Sequence, residues 1–243
     1  MATNPILFLS GAGVPAWIWD EVRGGLQVRS HVAAYPRRPR AALGDYAADA
    51  LAQIPGGEFT IVAHSIGGVV AGQILAVAPT RVRAILGVAA SFPTAGTSFV
   101  DALPLPQRLL VGLAMRVAGT RPPDKAIRAG LCAGLEPDDV ARIVAEFEPE
   151  SPRLYRDKVS SRTFPAHNGY VVTTADPEMS VSQQRAHAGR LGSGLRRELP
   201  TGHLPMLQDP AALTKVIGEF LAPSYDGDTA AGTPSSSPDG APQ

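Results

Sequence analysis

Short apolar runs alternate along the chain with stretches in which apolar residues recur every three or four positions. Runs at 6–10, 30–34, 59–64, 82–88, 170–174 and 195–199 predict strands. Several of them lack polar alternation, as parallel strands covered on both faces do. Stretches around 16–24, 43–54, 67–78, 180–191 and 210–221 predict the covering helices. Strand and helix in turn imply an α/β fold, a mostly parallel central sheet flanked by helices.

One interval departs from this rhythm. Residues 91–166 contain no strand-like run. Val140, Ile143, Val144 and Phe147 fall at helical spacing behind Pro137. Over 106–118, Leu109, Leu110, Leu113 and Val117 share one face while Val111 and Met115 lie on another. A helix apolar on more than one side needs more than one thing to cover it. The interval is therefore expected to be a helical cap over the functional site, inserted into a core made of 1–90 and 167–222; an ordinary packing subdomain is the alternative. The stretch 223–243, rich in Ser, Pro, Gly, Ala and Asp, is expected to be a disordered tail, because it has too little apolar surface to offset its ordering entropy.

Composition narrows the function. Of 243 residues, 44% are hydrophobic and 18% charged, with 22 Lys plus Arg against 22 Asp plus Glu. No global field draws the chain to nucleic acid or to an acidic membrane surface. The single cysteine, Cys132, excludes an internal disulfide and a multi-cysteine metal site, and is read as a small packed residue. The first residues carry no basic segment, and the apolar run that follows is too short for an export signal or a membrane span, so a cytoplasmic protein is expected.

The chemistry is concentrated in Phe59-Thr-Ile-Val-Ala-His-Ser65-Ile-Gly-Gly, an apolar strand that runs into a small-x-Ser-x-Gly turn and then a helix. Such an elbow lifts the serine into an exposed, strained position, and close backbones demand small residues at Ala63 and Gly67. Ser65 is thus the candidate nucleophile. Of five histidines, His203 lies between the last strand and the last helix, at the carboxyl edge of the sheet where sites of open α/β sheets form. It is the candidate general base. Asp176 follows the strand before it and completes the order Ser, Asp, His, with Glu178 as a substitute two residues on and Asp101 as a weaker candidate. Gly11 and Gly13 permit a tight turn after the first strand, so the N–H groups of Ala12 and Ile66 are the candidate oxyanion donors.

The loop Ser-Gly-Ala-Gly-Val-Pro-Ala-Trp17-Ile-Trp19, the elbow, the Thr-Thr-Ala-Asp176 segment and Gly-His203-Leu-Pro-Met-Leu together resemble α/β-hydrolases related to plant methylesterases and hydroxynitrile lyases. The resemblance covers the chain to about residue 221 and is thin through the cap. It implies the same Ser65, Asp176 and His203 triad, oxyanion amides at Ala12 and Ile66, a mostly apolar acyl pocket under the cap, no metal and no cofactor. The pocket is expected to be walled by Trp17, Trp19, Leu109, Leu113 and Leu204. Two departures stand out. Relatives begin the oxyanion loop with His-Gly where this chain has Ser10-Gly11, and the lyase markers, a Lys after the histidine and a Thr in the loop, are replaced by Leu204 and Gly11. Cyanide-releasing chemistry is therefore disfavoured.

Arg37, Arg38 and Arg40, set among prolines, form a basic cluster read as a solvated loop or, alternatively, as a receiver for an anionic substrate tail. Three functions fit these residues: a serine hydrolase of a small apolar carboxylic ester or lactone; a pathway enzyme that uses the triad as thioesterase, cyclase or lyase on a polyketide-like substrate; and a ligand-binding hydrolase fold without turnover. The partner expected is a small-molecule ester, lactone or thioester.

Overall fold

The structure, a computed structural model, describes residues 4–192 and 194–222; the tail expected over 223–243 lies outside the described residues. Strands β1 (Ile6–Leu9), β2 (Ser30–Val32), β3 (Phe59–His64), β4 (Val82–Val88), β5 (His167–Thr173) and β6 (Leu195–Leu199) form one parallel six-stranded sheet in the order β2-β1-β3-β4-β5-β6. Every residue of β1 and β3 is buried, which is why their sequences read as unbroken apolar runs.

Helices cover both faces. On one, Leu7, Leu9, Ile61, Ala63 and Ile85 pack with residues of α2 (Leu43–Ala52), α3 (Gly67–Val77) and α8 (Val181–Leu191). On the other, Ile6, Phe8, Val62, Leu86 and Val88 meet α1 (Asp20–Gly25) and α10 (Pro210–Leu221). Burial of each such aliphatic side chain contributes roughly 1.5–3 kcal/mol. From β1 the chain crosses to β2 at one edge and then back to β3 on the other side. The carboxyl ends of β1 and β3 therefore flank the point where strand order reverses, the crevice in which open α/β sheets hold ligands.

Local structure departs from the sequence expectations in three places. Residues 16–24 form a 3-10 turn (Ala16–Trp19) followed by α1 rather than one helix. Ile18 and Trp19 both turn inward there, and α1 starts at Asp20 and Glu21, whose charges favour a helix N-terminus. The short α9 (Pro205–Gln208) spans too few residues to leave a periodic signal. Between β4 and β5 lie α4 (Leu105–Ala118), α5 (Asp124–Ala129), α6 (Pro137–Glu146) and α7 (Pro152–Arg156). Ile127, Cys132, Ile143, Val144 and Phe147 of this segment join the core cluster on the α1 and α10 side. Helix α4 does not: none of its residues is buried, and Leu105, Leu109, Leu110, Leu113 and Val117 point outward, with Leu113 still 61% and Val117 80% exposed. Among the described residues nothing covers that face, so the expectation that α4 is covered on several sides is not met.

Candidate active site

Strand β3 ends at His64, and α3 begins three residues later. Between them Ser65 takes φ 53°, in the left-handed region that a residue with a side chain seldom enters. Three elements hold it there. Its N–H donates to Val88 O (3.3 Å), and its carbonyl accepts from Gly68 N–H (3.2 Å) and Ser91 N–H (2.9 Å). Such strain persists only where the surroundings over-determine it. The small residues after the serine are required by space: a Cβ on Gly67 would stand 2.3 Å from Leu9 O, and one on Gly68 2.4 Å from Ser91 O.

Strand β6 delivers a loop whose His203 is almost wholly buried. Its Nε2 lies 2.9 Å from Ser65 Oγ and its Nδ1 2.7 Å from Asp176 Oδ2. Asp176 sits just past β5, and its carboxylate is saturated with donors. Oδ1 accepts from Glu178 N–H (2.8 Å) and Met179 N–H (3.1 Å), and Oδ2 accepts from Thr173 Oγ1 (2.9 Å) and Gln184 Nε2 (3.3 Å) as well as from His203. Burial alone would favour the neutral acid, but the His203 hydrogen bond and charge, with the Met179 and Thr173 donors, outweigh it and hold the carboxyl below its ordinary range. An ionised Asp176 can only accept, so it fixes the proton of neutral His203 on Nδ1 and leaves the Nε2 lone pair facing the Ser65 hydroxyl.

The other candidates fall elsewhere. Glu178 gives its backbone N–H to Asp176, while its side chain lies against Gly130 of the inserted segment. Asp101 accepts from Ser98 and pairs with Arg108, far from the histidine loop in its bonding. His31 bonds Gln53, and His187 accepts from Phe92 N–H. Cys132 is packed in the core, with its thiol pushed up to about 11 by burial.

Ser10, which departs from the His-Gly expected at the start of this loop, has partners of its own: its Oγ accepts from Trp19 Nε1 (3.0 Å) and its carbonyl from Tyr35 OH (2.9 Å). Ala12 follows on this loop, and Ile66 caps α3. The loop is clamped at Gly13 by the segment after α6. Glu148 N–H donates to Gly13 O (3.1 Å), and a Cβ on Gly13, at φ +75°, would stand 2.2 Å from the Phe147 ring. Neither this clamp nor the support of Asp176 by Thr173 and Gln184 is among the features expected from the sequence. Thr173 could have been suspected from its place three residues before the acid; the clamp left no local signal.

The expected pocket wall is corrected by the structure. Trp19 is fully buried beneath the loop, stacked near Phe8 and bonded to Ser10, and Leu204 is buried in the core with it. Trp17 turns to α6, where its Nε1 donates to Glu146 (2.8 Å) under the Arg142 guanidinium. Leu109 and Leu113 face outward, because α4 meets the body through its half-buried Gln107, Val111 and Met115 side instead. A cavity of about 850 Å3 adjoins the oxyanion loop, lined by Ser10, Gly13 and Val14, by the loop after β2, and by residues 118–121, 146 and 148–152; neither Ser65 nor His203 is part of its wall. Apolar Val14, Ala33 and Ala118 share its wall with Arg121, Glu148 and Glu150. Arg37 at this wall pairs with Glu148 (2.8 Å), and Arg38 with Asp49 (3.5 Å) and Asp45 (3.7 Å). Among the described residues, no group of His, Cys, Asp and Glu side chains is placed to hold a metal ion, and no helix is long and apolar enough to cross a membrane.

The sequence profile described as the alpha/beta hydrolase family matches residues 6–216. Among curated proteins, no sequence matches the chain. Among solved structures, an extracellular α/β-hydrolase from a Paenibacillus species, described as sharing structural and functional homology with tobacco salicylic acid binding protein 2, superposes with a TM-score of 0.75 at 16% identity, covering 89% of this chain and 98% of that one. Polyneuridine aldehyde esterase gives a TM-score of 0.70 at 16% identity, with 89% and 98% covered. A methylesterase from Arabidopsis gives 0.69 at 16% identity, with the same coverage. At these identities the likeness is one of fold.

Proposed function

Since this chain belongs to the alpha/beta hydrolase family, we propose that it hydrolyses a small carboxylic ester or lactone through an acyl-enzyme on Ser65, with His203 as general base and Asp176 as its orienting acid. The observation that carries the proposal is the continuous chain of contacts from Asp176 Oδ2 through His203 to Ser65 Oγ, at 2.7 and 2.9 Å, ending on a serine held in the left-handed region.

The steps follow from those contacts. His203 Nε2 takes the Ser65 proton as Oγ attacks the acyl carbon, and Asp176 stabilises the imidazolium without taking the proton. The N–H groups of Ala12 and Ile66 receive the developing oxyanion. The imidazolium then protonates the departing alkoxide, leaving the acyl group on Ser65. A water, deprotonated by His203, attacks the acyl carbon, and collapse releases the carboxylic acid and returns the proton to Ser65. The cavity beside the oxyanion loop takes the bulk of the substrate, its apolar part against Val14, Ala33 and Ala118.

Thioester release from a carrier with an anionic arm is the second reading, because Arg37, Arg38 and Arg121 stand at the cavity. Arg37 and Arg38 are already paired with acids, which places the neutral ester first. A panel of p-nitrophenyl and methyl esters beside acyl thioesters separates the two. Saturable ester turnover is expected. Turnover of thioesters with every ester inert would replace the first reading by the second.

A further inference from the structure

His64 is the last residue of β3, next to Ser65, and its side chain is completely buried. Its ring is bonded at both nitrogens. Gly11 N–H donates to Nδ1 (3.2 Å), and Nε2–H donates to the carbonyl oxygen of His203 (2.9 Å). One partner can only donate and the other can only accept. The pair therefore admits a single state, the neutral imidazole with its proton on Nε2. An imidazolium would set an N–H against the Gly11 N–H. Burial, and next the proximity of His203, lowers the His64 pKa to about 3, so the ring stays neutral at working pH. The titratable groups that face it are His203 and Asp176.

The two partners belong to the two loops that must converge on Ser65. Gly11 adjoins Ala12, whose N–H is assigned to the oxyanion; the His203 carbonyl belongs to the general base itself. Gly11 lies so close that a Cβ there would stand 2.9 Å from His64 Nδ1 and 3.0 Å from Ser65 Cβ. The ring is flanked by Trp19, edge-on at 6.3 Å, and by the His203 ring at 4.8 Å, centroid to centroid. We propose that His64 is a positioning residue, a strut of fixed tautomer that holds the oxyanion loop and the base loop in register across Ser65. This rests on the roles proposed for Ser65, His203 and Ala12.

Two substitutions divide the strut. In His64→Asn the amide oxygen replaces Nδ1 and keeps the Gly11 bond, while the tether to His203 is lost. In His64→Gln the amide nitrogen replaces Nε2 and keeps that tether, while the Gly11 bond is lost. Displacing a reacting group by about 1 Å costs on the order of a hundredfold in rate. His64→Gln is expected to lower kcat by about tenfold to a hundredfold, with KM and the pH profile unchanged, the mark of a weakened oxyanion site. His64→Asn is expected to shift the pH profile of kcat/KM and to slow fluorophosphonate labelling of Ser65. A role in packing alone would lower melting temperature and activity together and alike in both. Wild-type kinetics in both folded variants would overturn the proposal. If neither variant folds, 15N NMR of the unmodified protein decides: His64 should keep Nε2 protonated and Nδ1 bare from pH 8 to pH 5, and titration or tautomer averaging in that range would overturn it. Failure of the unmodified protein to label at Ser65 would instead count against the hydrolase reading and leave the NMR result standing.

Discussion

Asp176→Asn exchanges one carboxylate oxygen for an amide group at a site where every neighbour is a donor. The new NH2 has two places to go. At the Oδ1 position it would meet the backbone N–H groups of Glu178 and Met179, now 2.8 and 3.1 Å away, and strand both. An unpaired donor costs about 1–3 kcal/mol where water cannot reach it, and the Met179 N–H is the less exposed of the two. At the Oδ2 position it meets the Thr173 hydroxyl, Gln184 Nε2 and His203 Nδ1, at 2.9, 3.3 and 2.7 Å, and Gln184 Nε2 keeps the Thr173 and Met179 carbonyls as acceptors. There the hydroxyl can rotate to accept, and His203 can give up its Nδ1 proton and carry it on Nε2. The second arrangement strands fewer groups, so the variant should fold with a small loss of melting temperature. Its histidine, however, now donates to Ser65 Oγ and cannot take the serine proton. A wrong tautomer of this kind costs on the order of ten-thousandfold in turnover. The assay is kcat/KM on a p-nitrophenyl ester, paired with 15N NMR of the His203 ring. Near-normal turnover in Asp176→Asn beside an inactive Glu178→Gln would move the role to Glu178. An inactive variant whose His203 still carries Nδ1–H would refute the tautomer argument.

The clamp on the oxyanion loop and the neutral histidines give two further tests. Gly13→Ala forces a side chain into the left-handed region, at about 1–2 kcal/mol, and drives a Cβ against Phe147; a lower melting temperature and at least about a tenfold loss of kcat are expected, partly restored by Phe147→Ala, whereas an unchanged variant would show that the loop is not clamped. Burial first, and second the neighbouring His203 for one and Arg190 for the other, hold His64 at about 3 and His187 at about 4, below the ordinary 6.5. The unfolded chain therefore binds protons that the folded chain refuses, and the stability they confer is complete above pH 6.5 and lost as pH falls below it. The unfolding free energy from urea titrations should drop by on the order of 1 kcal/mol per histidine per pH unit between about pH 6 and pH 4.5, less steeply in His187→Gln; a flat profile would contradict the buried, neutral assignment.

The α/β fold was legible because its signals are local: fully buried parallel strands are continuous apolar runs, and β1 and β3 are such runs. The elbow was legible for the same reason, since strand, turn and helix are consecutive and Gly67 answers a clash with the neighbouring Leu9 backbone. Asp176 and His203 could be named because each follows a strand, and sheet order brings those strand ends to the side of Ser65, where His203 bonds both Asp176 and Ser65. What the sequence hid is nonlocal. Periodicity shows that α4 is apolar but not which way its leucines point, and they point out. Trp17 and Trp19 looked equivalent two residues apart, yet a 3-10 turn sends one under the loop and the other onto α6. The grip of Phe147 and Glu148 on Gly13, and of Gln184 on Asp176, joins distant segments without any shared motif.

Everything proposed for the site depends on Ser65 being a nucleophile activated by His203. The direct measurement is intact-protein mass after incubation with a fluorophosphonate, with the modified residue located by peptide mapping. One adduct per chain is expected on Ser65, absent in Ser65→Ala and slowed in His203→Gln, together with a turnover loss on the order of a millionfold in Ser65→Ala. Undiminished labelling of Ser65→Ala, or an adduct on another residue, would contradict it.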